Sequence, residues 1–210
     1  TIAMPFKAAN FVILHHHFTG IYSSNKKKMS QNDPTLSRTN LEMVAVAGEY
    51  CQLIESHNSI DIQTFIKTLR GFVPLLYLRG SLLQRREPEY PEANERFVTE
   101  EQWDGIFTGL REKLAGQDEF QYFGFSEFGE QTVLNGSLSE HLADVYQDMK
   151  DFVLLFKKAS LAQRENAVYE CYRLFSEHWG SRLAVILPVI HQLAEGNQGS
   201  QPTDDFQDIF

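Results

Sequence analysis

Cysteine is scarce: Cys51 and Cys171 are the only two in 210 residues, too few and too far apart for a disulfide scaffold or a cysteine-rich metal site. Positive charge is in deficit as well. With 19 Lys+Arg against 28 Asp+Glu and a formal charge of -9, the chain lacks the broad cationic surface that grips a phosphate backbone. No apolar run approaches the roughly 18 to 20 residues that span a bilayer. There is no glycine-rich phosphate loop and no Gly-x-Ser-x-Gly elbow, which disfavours P-loop and α/β-hydrolase chemistry. These gaps point away from direct nucleic-acid binding and from membranes. They fit a cytoplasmic protein whose two thiols are reduced and buried.

What is present is ample apolar material, 42% of the residues, enough for one core. It begins late. Residues 1–38 read as a leader that is disordered or not native: Phe11 to Leu14, His15, His16, His17 and then Lys26, Lys27 and Lys28 have no packing periodicity. The lysines follow the apolar stretch, the wrong order for a secretory signal, and Met29 is read as the natural start. Three adjacent histidines there would make an unselective chelator. Residues 39–196 read as a helical domain, and 197–210 as a flexible acidic tail.

Within the domain the apolar spacing is helical. Leu41, Val44, Ala47, Tyr50, Cys51 and Ile54 predict a helix over 40–57, with Thr39 or Asn40 as its cap. Ile62 to Leu76 predict a second over 60–83, bent where Pro74 lacks its N–H. Residues 84–98 have two prolines and no apolar face, so they form a loop. Thr99 and Gln102 make a capping box for a helix over 100–115, closing at Gly116. The aromatic stretch Asp118 to Phe128 fits neither period and stands as a packed loop or a short hairpin. A long helix follows from Ser137 or Ser139 through Phe156, then one over 162–178, then one from Ser181 to Gly196 bent at Pro188. The expectation is an all-α single bundle of about six helices, two of them proline-kinked.

The stretches Val44 to Cys51, Leu69 to Tyr77, Leu142 to Asp151 and His178 to Leu183 resemble domain-of-unknown-function family 5063, which comprises small bacterial helical proteins. The resemblance covers about 41–195. It implies a fold class and transfers no activity or site residue.

Two functional readings compete. Glu140, Asp144, Asp148 and Asp151 fall on one side of a helix, where four carboxylates repel one another unless cations intervene. A divalent metal, Mg²⁺ or Mn²⁺, is one such cation. That reading is a phosphoester or pyrophosphate hydrolase with Asp144, Asp148, Asp151 and Glu49 as ligands. The plainer alternative is a solvated face paired with Lys150, Arg173 or Arg182. No Glu-x-x-His pair supports a di-iron bundle. The favoured reading is an interaction or regulatory module without intrinsic catalysis or cofactor. Its partner is another protein, and a homodimer stays open. Trp103, Tyr146 and Trp179 are candidate contact aromatics. The end Asp204, Asp205 to Ile209 and Phe210 is similar to the acidic tip of bacterial single-stranded-DNA-binding proteins, and its alternative is a plain solubilising tail.

Overall fold

The computed structural model describes residues 33–125 and 129–196. From Thr35 onward they belong to one unit. Residues 1–32 of the expected 1–38 leader and the expected tail over 197–210, including Asp204, Asp205, Ile209 and Phe210, lie outside the described residues.

Five of the α-helices open on a side chain that takes an orphan backbone N–H. Ser37 accepts from Asn40 and opens α1 (Arg38–Glu55), so the start falls before the Thr39 or Asn40 cap expected. Asp61 accepts from Thr64 and opens α2 (Ile62–Ser81). Thr99 and Gln102 form the reciprocal capping box of α3 (Glu100–Leu114), as their spacing foretells. That helix ends with Ala115 at φ 44, so the left-handed residue precedes the expected Gly116. Ser137 opens α4 (Leu138–Phe156) and Ser160 opens α5 (Leu161–Leu174).

The sixth expected start does not exist as a start. After α5 the backbone keeps helical angles through a π turn, Phe175–Trp179, and runs straight into α6 (Gly180–Glu195), which has no side-chain cap. Gly180 is therefore no terminator. A Cβ on it would lie 2.2 Å from the Phe175 carbonyl oxygen, so the wide turn needs glycine here. Among the described residues the helices make five rods, and both Pro74 and Pro188 sit inside helices that continue past them.

The aromatic stretch is a hairpin, which corrects the all-α expectation to mostly helical. β1 (Glu119–Phe125) pairs antiparallel with β2 (Gln131–Ser137), with Phe123 opposite Val133 and Gln121 opposite Asn135. Its base is tied to α4 through Asp118. That buried carboxylate accepts from the Ser137 hydroxyl at 2.8 Å and from the Ser139 N–H at 2.7 Å. Phe120 and Tyr122 turn inward against His141. The outer side chains Phe123 and Val133 stay exposed.

α4 is the central rod, packed on α1, α3, α5 and α6. Its apolar residues, from Leu138 and Leu142 to Met149 and Phe156, are buried, and because neighbours surround it the polar residues between them are covered too. No helix among the described residues is long and apolar enough to cross a membrane.

Candidate functional site

The acidic side of α4 meets basic and donor groups from three other parts of the chain. Asp144 accepts Trp103 Nε1 of α3 on one oxygen at 3.0 Å, and Arg182 of α6 on the other through Nε at 2.7 Å and Nη2 at 2.6 Å. Asp148, with a side chain only 3% exposed, accepts His178 Nδ1 of the π turn at 2.6 Å. Asp151 accepts the backbone N–H groups of Phe97 and Val98 at 2.7 and 2.9 Å, fixing the chain as it enters α3. Arg96 of the same loop lies 3.8 Å from Asp148 and 3.6 Å from Asp151.

The geometry is a ladder. Asp144 and Asp148 are four apart on one helix, and His178 and Arg182 are four apart on the facing rod, so each rung pairs an acid with a base. Paired in this way, each buried carboxylate has a hydrogen-bond donor, and Arg182 brings a positive charge to Asp144. Burial pushes the Asp151 carboxyl above the usual carboxylate range, and its two backbone donors oppose that shift. Its second oxygen has no hydrogen-bond partner and faces the Arg96 charge.

These contacts also set what the carboxylates of the metal reading have left to donate. Asp144 spends both oxygens on Trp103 and Arg182, whereas Asp148 and Asp151 each give one oxygen to hydrogen bonds, with His178 and with the Phe97–Val98 backbone. Glu49 stands on α1, its carboxyl raised by burial, and no hydrogen bond or ion pair joins it to the three. Among the described residues no group of three or more His, Cys, Asp or Glu side chains is placed to hold a metal ion. The cavity beside Asp148, Asp151, Arg96 and Cys171 measures about 20 Å³, the room of roughly one water. A phosphoester does not fit there. Of the expected pairings, Arg182 holds Asp144, whereas Lys150 goes to Glu55 and Arg173 to Glu170 and Glu177.

The candidate contact aromatics also turn inward. Trp179 is fully buried, donates to the Cys171 carbonyl at 3.1 Å and packs edge-on against Phe175. Tyr146 is buried, and its hydroxyl donates to Glu55 at 2.9 Å. Trp103 is half-buried and stacks on Phe107. Both thiols are buried and disfavoured as thiolates: burial pushes Cys51 to about 12 and Cys171 well above its ordinary value. They are core residues, not nucleophiles.

Sequence reasoning missed His178, Arg96 and His141. The matched four-residue spacing of Asp144–Asp148 and His178–Arg182 was the available signal for the ladder. His141 had none: it is buried with neither ring nitrogen hydrogen-bonded, and only the hairpin packing on it makes that visible.

A family model described as "Domain of unknown function (DUF5063)" matches residues 35–195. The chain belongs to this family. The family match takes in all six α-helical segments and the hairpin. A solved structure, protein BF1032 from Bacteroides fragilis, is similar with a TM-score of 0.68 and 29% identity over 78% of this chain and 96% of that one. No curated protein matches.

Proposed function

We propose that the domain is a protein-interaction module without catalysis or cofactor of its own, acting in the cytoplasm on another protein and not on nucleic acid or membrane. One observation carries the reading. Asp144, Asp148 and Asp151 are paired inside the fold, while large apolar side chains are left on the outside: Phe123 is 74% exposed and Val133, directly opposite it, 51%. Tyr77 and Leu78 of α2, with Leu82 just past its end, form a second exposed apolar set. Bends at Pro74 and Pro188 belong to the same proposal, since each proline removes a rung of its helix.

Two measurements test it. Thermal unfolding of the full chain across Mg²⁺, Mn²⁺, Zn²⁺ and nucleotides is expected to stay flat, where a ligand at 100 times its dissociation constant would add about 2.7 kcal/mol. A metal-dependent rise abolished by Asp148→Asn overturns the reading. In the second, a photo-crosslinking residue at position 123 or 78 is expected to yield covalent protein adducts in cells, and adducts at neither position overturn the reading.

A further inference from the structure

We infer that the outer face of the hairpin docks an extended cationic segment of a partner protein, with a lysine or arginine at its α4 end and an aliphatic side chain over Phe123 and Val133. The inference rests on the interaction reading and narrows it to one surface and one ligand chemistry.

Three observations converge on it. The first is shape: an open groove of about 530 Å³ lies at the α4 end of the hairpin, lined among others by Glu119, Gln121, Asn135 and Glu140. The second is unspent charge. Asp144, Asp148 and Asp151 of α4 are all partnered, yet Glu119 and Glu140, which line this groove, are exposed and form no ion pair among the described residues. The hairpin supplies no cation of its own: from Ala115 to Glu140 the sequence holds Asp118, Glu119, Glu127, Glu130 and Glu140 and no lysine or arginine. The third is the apolar pair Phe123 and Val133 at the far end of the same face.

The spacing sets the ligand. Glu119, Gln121 and Phe123 alternate onto one face, and Glu119 and Phe123, four residues apart, are separated by about 13 Å along the strand. An extended partner presents side chains on one face with the same period, so a cation and an aliphatic residue four positions apart meet both ends together. Between them Gln121 Nε2 donates to Asn135 Oδ1 at 3.2 Å, bracing the two strands. Beneath, Phe120 and Tyr122 pin the sheet to His141, so the face is presented by a supported element. The same acidity argues against a second copy of this face, which would oppose like charges.

The test is titration of the full chain, followed by backbone amide NMR, with a synthetic twelve-residue threonine peptide carrying lysine and valine four positions apart. Shift changes confined to residues 119–123 and 131–140 are expected, weakening as salt rises. They should vanish when glutamate replaces lysine in the peptide. Glu119→Lys with Glu140→Lys should weaken binding at least tenfold, and the neutral pair Glu119→Gln with Glu140→Gln should do so more mildly. Phe123→Ser should also weaken it about tenfold. No shifts, shifts elsewhere, or equal binding by the charge-reversed protein overturn the inference. Crosslinks at position 78 without any at position 123 overturn it too, while leaving the broader interaction reading intact.

Discussion

Removing Asp144 is the sharpest perturbation of the ladder, because that one carboxylate holds two neighbours. Its side chain is 13% exposed and that of Arg182 27%, so the pair lies between two measured regimes. Exposed pairs contribute about 0.2–1 kcal/mol, whereas breaking a buried pair costs about 3–5 kcal/mol. An intermediate value of about 2 kcal/mol for the ion pair, with about 1 kcal/mol for the lost Trp103 hydrogen bond, gives roughly 3 kcal/mol for Asp144→Ala. For a chain of this size that lowers Tm by about 6–12 °C. The assay is urea unfolding of the parent, Asp144→Ala, Arg182→Ala and the double variant, which isolates the pairwise coupling. A coupling of about 1.5 kcal/mol is expected. A value under about 0.5 kcal/mol would refute the claim that this rung is an internal fastening, because a solvated face gives that result.

Burial, with Arg182 adding to it and Asp144 and Asp118 opposing, holds the His141 ring below the ordinary histidine range. The unfolded chain therefore binds the proton more readily, so stability is complete above about pH 7 and falls as pH drops through the histidine range. Urea midpoints at pH 7.5 and 5.5 should differ less in His141→Leu than in the parent, and an unchanged difference would count against this account. Gly180→Ala forces a Cβ to 2.2 Å from the Phe175 oxygen and should cost at least about 2 kcal/mol in a urea melt. Gly48 of α1 has nothing within 4 Å of the same probe position, so Gly48→Ala should gain about 0.5–1 kcal/mol. Cys51 and Cys171 should react with a thiol reagent at pH 8 only as fast as the protein unfolds, and prompt labelling of the native protein would contradict their burial.

The parts of this fold that are written locally are legible in the sequence. The capping box at Thr99 and Gln102 places α3, and the apolar stripe of α4 places its buried face, since a cap and a stripe are properties of a few adjacent residues. What depends on distant pieces is not. His178 and Gly180 read as a helix end followed by a stop, and only the packing of Phe175 and Trp179 against Gly80 shows the chain continuing through a π turn. The carboxylates of α4 look like ligands or a wet face because a stripe records charge but not what stands opposite it. Trp179 and Tyr146 carry polar tips that suit a partner surface, yet those tips are spent on Cys171 and Glu55.

Burying charge in a helix is a poor way to gain stability, since desolvation offsets most of the attraction and apolar replacements often do as well. The ladder is better understood as register. An apolar stripe on α4 meets apolar stripes on its neighbours almost equally well after sliding by one turn, about 5.4 Å. Such a slide would set Asp148 against Arg182, leave His178 facing no acid, and strand Asp144. It would also pull Asp151 from the Phe97 and Val98 backbone, releasing the entry to α3. The rungs thus make one alignment of α3, α4 and the α5–α6 rod far better than its neighbours. That argument separates the two kinds of acid on α4: Asp144, Asp148 and Asp151 hold its alignment with the neighbouring elements, and Glu140, whose side chain has no ion pair among the described residues, stands exposed beside the groove that Glu119 also lines.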